Sequence, residues 1–177
     1  MEIFCQGEVL KKTCYCIVFI VYSLKKRKED LLKMDIEGYN FPDDLYYHKE
    51  HFWAKVVGNI VIMGTSDFAQ KLAGQIVYIE LPSPGRVLEQ GKPCGSLESG
   101  KWVGRVYAPI SGKVESSNQE LEDTPELINE SPYEKGWICK INPSNLQEEL
   151  KNLMRGESLL EFIKSEIIRV KKMGGQK

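Results

Sequence analysis

Residues 94–112, which read CGSLESGKWVGRVYAPISG, constrain the fold more than any other stretch of this chain. Two short runs, 94–98 and 102–108, flank a tip that contains Gly100 and Lys101, and this pattern indicates two strands joined by a tight turn. We expect Gly100 to give the backbone the freedom to reverse there. Lys101 would then project from a rigid hairpin on a long, flexible stem. The alternative interpretation is a lysine that only keeps a sheet edge soluble.

The chain on both sides of this hairpin alternates short apolar runs with turn residues. Residues 52–57 and 60–63 flank a Gly-Asn pair, which is typical of a second hairpin. The run 75–81 is dense in Ile, Val and Tyr, so we expect a strand that is buried on both faces. Residues 86–88 and Gly91 precede the central hairpin, and further strands are predicted at 113–118 and 137–141. The pattern predicts a mainly β fold with some α structure: a flattened β-barrel or sandwich with short helices.

Helix-capping residues mark four helix starts. Asp67-x-x-Gln70 opens a short helix that Gly74 ends, and Thr124 precedes a proline that would take the first helical position. The boxes Ser144-x-x-Gln147 and Ser158-x-x-Glu161 predict two helices that close the chain, with a frayed tail from residue 171. Their apolar faces would comprise Leu146, Leu150 and Leu153 in the first helix, and Leu159, Leu160, Ile163 and Ile167 in the second.

Length, charge and cysteine content bound the function. The chain has 177 residues, enough for one domain with extensions, which we divide into 1–45, 46–143 and 144–177. The 24 basic and 25 acidic residues nearly balance, so no nucleic-acid footprint covers the chain. Five cysteines indicate free thiols in a reducing compartment, so we expect a cytoplasmic protein, with Cys94 and Cys139 as core residues.

The N-terminal extension carries an apolar run at 14–22 and a basic cluster at 25–28. The run is too short to cross a bilayer as a helix, so we expect a buried strand, no membrane association, and a helix over 27–34. A tether to a membrane surface or partner is the alternative. Cys14 and Cys16 would share one side of the strand as buried thiols; a redox pair, or a zinc site with the neighbouring histidines His48 and His51, is also open.

Several motifs in fixed order carry a resemblance. From about residue 47 to residue 163 the chain resembles the glycine cleavage system H protein family of lipoyl carriers. The motifs are His51-x-Trp53, Asp67-Phe68-Ala69-Gln70, Gly74-x-Ile76-Val77-x-Ile79-Glu80-Leu81-Pro82, Glu98-Ser99-x-Lys101, Tyr107-Ala108-Pro109-Ile110-Ser111-Gly112 and Ser131-Pro132-Tyr133-x-x-Gly136-Trp137. The resemblance implies the lipoyl-domain type of fold and lipoic acid in amide linkage to Lys101.

The same resemblance implies a swinging-arm carrier rather than an enzyme. It would shuttle an aminomethyl group among glycine decarboxylase, aminomethyltransferase and dihydrolipoyl dehydrogenase, after a lipoate ligase or lipoyl transferase has modified Lys101. Glu98 and Ser99, with Gly100 at the tip, resemble the residues that present the lysine to that ligase. A biotin carrier would usually place methionine on both sides of the lysine. This chain has Gly100 and Trp102 there, which favours lipoate over biotin.

Three departures from the family pattern, one of them a pair of residues, lie near the expected resting place of the arm. Beside His51, Phe52 replaces the usual glutamate, Arg105 replaces the usual aspartate, and Trp102-Val103 replace a small pair. Arg105 would disfavour a cationic load and suit an anionic one. The alternative function is therefore a carrier of sulfur intermediates beside a sulfur-oxidising complex that resembles heterodisulfide reductase. An unmodified interaction module is a third possibility.

Overall fold

A computed structural model describes residues 33–174 of the chain. Its backbone contacts divide the chain into two units, Met1–Lys33 and Met34–Lys177, and apart from Lys33 the described residues all belong to the second. The apolar run at 14–22, its two cysteines and the basic cluster lie outside the described residues. Most of the helix predicted at 27–34 also lies outside them. For its last two residues the prediction is wrong, because Lys33 and Met34 belong to a strand.

The described part of the chain forms three antiparallel sheets. Strands β1 and β2 pair as a small ribbon, six strands form the main sheet in the order β3-β4-β5-β11-β10-β7, and three form a second sheet in the order β6-β8-β9. The strands are β1 Lys33–Ile36, β2 Tyr39–Pro42, β3 Tyr46–Tyr47, β4 Phe52–Val57, β5 Ile60–Thr65, β6 Ile76–Glu80, β7 Val87–Leu88, β8 Pro93–Ser99, β9 Trp102–Tyr107, β10 Gly112–Ser117 and β11 Trp137–Pro143.

Short helices join these strands, and one long helix follows them. They are α1 Asp67–Ala73, α2 Glu120–Asp123, α3 Leu127–Glu130, α4 Leu146–Glu149, a 3₁₀ turn at Leu150–Asn152, and α5 Gly156–Gly174. The mainly β fold with short helices and two helical segments near the end is as predicted. The prediction of a frayed tail is wrong for residues 171–174, because α5 continues through them. Within this stretch, Lys171 Nζ lies 2.9 Å from a carboxylate oxygen of Glu37.

The main core lies between the two larger sheets. Inward side chains of β6, β8 and β9 meet those of β5, β10 and β11 in one buried cluster, which makes the fold a sandwich. Cys94 and Cys139 belong to this cluster as free, buried thiols, which confirms the prediction that they are core residues. Burial raises the pKa of the Cys94 thiol to about 11, so both the packing and the protonation state make it a small hydrophobe.

A second core forms on the outer side of the main sheet. Leu159, Ile163 and Ile167 of α5 pack with Trp53, Phe68 and apolar residues of the first strands in one cluster. Ile36, Phe41 and Leu45 are buried members of it. By their backbone contacts, residues 34–45 belong to the same compact unit as the strands that follow.

Strand β6 is buried on one face only, so the expectation of two buried faces is wrong. Val77 and Tyr78 expose 56% and 52% of their surfaces, while Ile76 and Ile79 point into the core. The physical reason is that the three-stranded sheet covers the core with one face and turns its other face to solvent. The apolar run in the sequence cannot reveal which face a tertiary neighbour covers.

The helices form where expected, but their caps differ. Ser66, not Asp67, caps α1 through its side chain, and the Asp67 carboxylate accepts the backbone N–H of Asn40 at 2.9 Å. Thr124 ends α2 instead of starting α3. No side chain caps α4, and Ser158 lies inside α5. Asp67 thus contacts a distant strand instead of capping its own helix, and that contact outweighs a local capping preference of about 1 kcal/mol.

Candidate functional site

The candidate site is the hairpin of β8 and β9. Its strands pair up to Ser99 and Trp102, so that Gly100 and Lys101 form the turn. The Ser99 hydroxyl accepts the backbone N–H of Lys101 at 3.4 Å and donates to the Trp102 carbonyl at 3.5 Å. Ser99 itself is buried, so these contacts hold the root of the lysine in a fixed place. The predicted hairpin thus forms, with Lys101 at its tip.

Gly100 is not needed for the backbone conformation of this turn. It is absent from the glycines with positive φ, and a β-carbon placed on it would have no heavy atom within 4 Å. The expectation that Gly100 provides special backbone freedom is therefore wrong. A two-residue turn can reverse the chain without a glycine when its φ angles stay negative.

The Lys101 side chain lies against the end of helix α1. A β-carbon placed on Gly74, which ends that helix, would lie 3.1 Å from Lys101 Cε and 3.5 Å from Nζ. Lys101 is exposed, and it forms no ion pair with any residue in the described range. Its amine is thus accessible, and its aliphatic stem already lies along a surface of the protein.

That surface is one wall of a cleft of about 800 Å³. The hairpin contributes Lys101, Trp102 and Arg105 to the lining, β4 contributes Phe52, and α1 contributes its C-terminal half. The remaining wall comes from helix α5. The full lining comprises Glu50, His51, Phe52, Thr65, Ala69, Gln70, Leu72, Ala73, Ile76, Leu97, Lys101, Trp102, Gly104, Arg105, Tyr107, Arg169, Val170 and Met173.

Among the residues chosen from sequence, four meet in this cleft: His51, Phe52, Lys101 and Arg105. Phe52 is 4% exposed, and its ring centroid lies 6.4 Å from that of Tyr107. Arg105 lies on the edge strand β9 and forms no ion pair within the part of the chain that the structure describes. The departures at residues 52 and 105 therefore fall on the lining itself.

Glu98, Ser99 and Gly100 lie outside the lining. Glu98 pairs with Tyr78 on one side and with Val103 on the other, in a row across the three-stranded sheet. Tyr78 and Val103 are both exposed. Glu98 therefore lies close to the lysine along the outside of the hairpin, a place where a modifying enzyme could reach it, while Ser99 stabilises the turn.

His51 links the cleft to helix α5. Its backbone has a φ of 64°, and its Nε2 lies 3.3 Å from a Glu166 carboxylate oxygen. Its ring lies between Phe68 and Phe162, with centroid distances of 4.9 and 5.4 Å. Burial lowers the pKa of His51, against the opposing effect of Glu166, so that a neutral imidazole donates Nε2–H to the carboxylate at neutral pH.

Glu166 is also held by Arg169, one turn further along α5. Its burial would raise the pKa of the carboxyl, but hydrogen bonds from Arg169 and His51 outweigh that effect and lower it. The Arg169 charge is thus paired, whereas Arg105 and Lys101 lack a carboxylate partner among residues 33–174. The cleft carries an excess of positive charge, with Glu50 as its one acidic lining residue.

Sequence reasoning missed the contribution of helix α5. Arg169, Val170 and Met173 line the cleft although they lie far along the chain from the hairpin. The only available signal was the amphipathic pattern of the last helix, which indicates a packed face but not its neighbours.

Trp102, noted as a departure from the family pattern, lies with its ring across Gly104, where a β-carbon would collide with it.

The zinc and membrane alternatives receive no support from the residues described. No group of three or more potential ligands that could hold a metal ion occurs in residues 33–174, and the two cysteines of the hypothesis lie outside that range. His48 Nδ1 instead accepts the backbone N–H of Glu50 at 3.3 Å. Among the same residues, no helix is both long and apolar enough to traverse a bilayer.

Comparisons with known proteins agree with the motif pattern. The family model described as "Glycine cleavage H-protein" matches residues 45–166. A probable glycine cleavage system H protein of Pyrococcus abyssi is 48% identical over 133 residues, which cover 75% of this chain and 98% of that relative. The H protein of Halalkalibacterium halodurans is 46% identical over 127 residues, covering 72% and 98%.

A solved structure supports the fold. The crystal structure of a glycine cleavage system H protein from Mycobacterium marinum superimposes with a TM-score of 0.60 at 27% sequence identity. The match covers 71% of this chain and 98% of that one. The similarity thus extends over nearly the whole of each relative.

Proposed function

This chain belongs to the glycine cleavage H-protein family, and we propose that it is a carrier protein with lipoic acid in amide linkage to Lys101. The observation that carries the proposal is the geometry of this lysine. It stands at a braced turn, has no ion-pair partner in the described range, and lies at the mouth of a cleft. The family resemblance selects the same residue.

The residues around Lys101 fit such a group. Gly74 leaves room for the lysine stem, because a β-carbon there would press on Cε. Phe52, Trp102 and Tyr107 offer apolar surface within the cleft, which suits the hydrocarbon part of a lipoyl group. When bound, lipoic acid supplies a disulfide that can accept electrons or a transferred group. The protein's part is to fix the root of the arm and to provide the surface on which it rests.

The cleft and hairpin provide no catalytic machinery of their own in this proposal, so the chain acts as a component of a larger system. A lipoate ligase or lipoyl transferase would modify Lys101, with Glu98 on the accessible outer face. Glycine decarboxylase, aminomethyltransferase and dihydrolipoyl dehydrogenase would then be its partners, with an aminomethyl group as cargo. The free thiols of Cys94 and Cys139 support a reducing, cytoplasmic location.

Modification of Lys101 can be tested directly. The purified protein is incubated with lipoate, ATP and a lipoate–protein ligase, and the products are analysed by intact mass and peptide mapping. We expect one lipoyl group per chain on Lys101, and none in Lys101→Arg, which keeps the charge but lacks the reactive amine. Lys113→Arg, which changes an exposed lysine within strand β10, is the control and should be modified like the wild type.

Attachment to a different lysine, or no attachment under conditions that modify a known lipoyl domain, would contradict the proposal. Protein isolated from its native host provides the second measurement. A bare Lys101 in that material would favour the third possibility, an unmodified interaction module that has kept the fold.

One observation favours the second candidate cargo. Arg105 lines the cleft without an ion-pair partner in the described residues, and no acidic residue accompanies it apart from Glu50. A cationic aminomethyl load would meet a like charge there, whereas an anionic sulfur-containing load would be stabilised. A carrier of sulfur intermediates that serves a complex resembling heterodisulfide reductase therefore remains the alternative proposal.

The cargo is decided by loading from glycine. Lipoylated protein is mixed with glycine decarboxylase and glycine labelled at carbon 2, and label on the protein is counted. If the cargo is an aminomethyl group, the wild-type protein acquires the label. If the cargo is a sulfur intermediate, the wild type acquires no appreciable label. Arg105→Asp, which replaces a cation in the cleft by an anion, should then take up about fivefold more label than the wild type, because such a change near an exposed site alters binding by on the order of 1 kcal/mol. Arg86→Asp, outside the cleft lining, is the control.

A further inference from the structure

Asn129 lies on the short helix α3, and its side chain binds two backbone groups that border the lysine hairpin. Its Nδ2 donates to the Gly74 carbonyl at 3.0 Å, and its Oδ1 accepts the backbone N–H of Ile76 at 2.9 Å. We propose that Asn129 is a positioning residue for the modification of Lys101, because it fixes the backbone that places the reactive amine. This inference rests on the proposed attachment of lipoic acid to Lys101.

The first connection to the lysine runs through Gly74, at the end of α1. A β-carbon placed on Gly74 would lie 3.1 Å from Lys101 Cε, so the lysine stem passes directly beside this residue. Gly74 has a φ of 83°, and its N–H donates to the Gln70 carbonyl at 3.0 Å. The hydrogen bond from Asn129 holds the carbonyl side of the same residue. Two helices, α1 and α3, therefore fix the backbone beside the stem.

The second connection runs through Ile76, the first residue of β6. Ile76 pairs with Ser99 of β8, and the Ser99 hydroxyl accepts the backbone N–H of Lys101 at 3.4 Å. Because the Ile76 N–H is bound to the Asn129 side chain, helix α3 sets the place where β6 begins beside the hairpin. Asn129 thus acts on both the stem and the turn of the lysine, although it lies outside the lining of the cleft.

The Asn129 amide is a rigid bridge because its partners fix its orientation. A backbone carbonyl only accepts and a backbone N–H only donates, so Gly74 and Ile76 together determine which end of the amide faces each of them. A second donated hydrogen bond, of 2.9 Å, goes to Gln70 Oε1. The preceding residue, Ile128, is fully buried in the main core. The bridge therefore starts from a fixed part of the fold.

The test compares the kinetics of a lipoate–protein ligase on two alanine variants. Asn118 is the matched control, because its side chain also donates to two backbone carbonyls, those of Lys135 and Trp137, each at 2.8 Å. Neither of these partners belongs to the hairpin, α1 or β6. We expect Asn129→Ala to lower kcat/KM for lipoylation about tenfold, mainly through kcat, because a displaced amine reacts more slowly once bound. Asn118→Ala should keep the wild-type value.

Nuclear magnetic resonance provides a second measurement that does not depend on the ligase. We expect the backbone amide resonance of Lys101 to shift in Asn129→Ala, because the turn loses a fixed neighbour. The same resonance should stay in place in Asn118→Ala. If either alanine variant does not fold, Asn129→Asp and Asn118→Asp take their places, since each keeps the size of the side chain and loses the donated hydrogen bonds.

An unchanged kcat/KM in folded Asn129→Ala would overturn the inference. So would an equal loss in the Asn118 variant, since that would indicate a general effect of lower stability. Failure of the underlying proposal has a separate signature: the ligase then attaches no lipoyl group to Lys101 of the wild-type protein, and the inference falls with it.

Discussion

Several residues that carry the family resemblance serve the fold at single contacts. The Trp53 indole is buried, and its Nε1–H lies 3.1 Å from the Thr65 carbonyl and 3.0 Å from that of Pro132. Tyr133 donates its hydroxyl to the Asn40 carbonyl at 2.6 Å. These side chains join segments that are distant in sequence. A motif that identifies a family can therefore consist mostly of structural residues, with Lys101 as its chemical exception.

Gly64 shows how tightly one such contact is packed. A β-carbon on it would lie 2.5 Å from Cζ2 of the buried Trp53 ring. We expect Gly64→Ala to lower the free energy of unfolding by about 1–3 kcal/mol, because a rigid ring cannot move aside in a close-packed core. Urea denaturation measures this. Gly100→Ala is the control, for which open space predicts a change within about 0.5 kcal/mol. Equal stability of both variants would contradict the packing argument.

Helix α5 is the element that connects the core to the cleft. Its 19 residues run from Gly156 to Gly174, and Gly156 has a positive φ of 54° where the chain turns into the helix. Leu159, Ile163 and Ile167 are buried as the sequence predicted, whereas Leu160, the fourth predicted member of that face, is only half-buried. The following turn reaches the cleft instead of the core. One element thus stabilises the fold with one part of its length and shapes the site with another.

The buried face can be separated from the exposed one by substitution. Ile163 is 1% exposed, so Ile163→Ala should lower the free energy of unfolding by about 2–5 kcal/mol through lost burial and a residual cavity. Ile168, which is 53% exposed on the same helix, is the matched control, and Ile168→Ala should change stability by about 0.5 kcal/mol or less. Thermal and urea unfolding measure both. A small effect at Ile163 would show that α5 packs loosely on the sheet.

At the scale of the whole molecule, the lysine hairpin and the long helix meet at the cleft from opposite sides of the sandwich. The hairpin belongs to the three-stranded sheet, while α5 packs on the outer side of the six-stranded sheet. The cleft forms where α1 and the start of β4 bring these parts together. Within residues 33–174, the buried members of the three clusters begin at Ile36.

We therefore expect the chain to retain its fold without residues 1–33. The contact boundary falls at that position, and relatives matched over nearly their full length correspond to 133 residues of this chain. The measurement compares the unfolding midpoint and the lipoylation of residues 34–177 with those of the full chain. Both should be unchanged, because the shorter chain keeps every cluster residue found in the described part of the chain. Loss of cooperative unfolding in the shorter chain would show that the first unit contributes to the core.

The amino-acid sequence alone determined the lysine hairpin, the mainly β class and the buried face of the last helix. These features depend on local rules: two-residue turns, alternating side chains and the helical repeat. The motif order also identified the family, because a set of spaced residues is far more specific than any one of them. The prediction that Cys94 and Cys139 belong to the core followed from their positions within strands.

Only the tertiary structure decided which surfaces meet. The sequence could not show that Val77 and Tyr78 face solvent, since an apolar strand does not reveal which side its neighbours cover. It could not show that Met173 and Lys101 line the same cleft, or that His51 contacts Glu166, because these positions lie far apart in the chain. The cap at Asp67 was misplaced for the same reason, because its carboxylate contacts Asn40 of a distant strand and a local preference of about 1 kcal/mol yields to that contact.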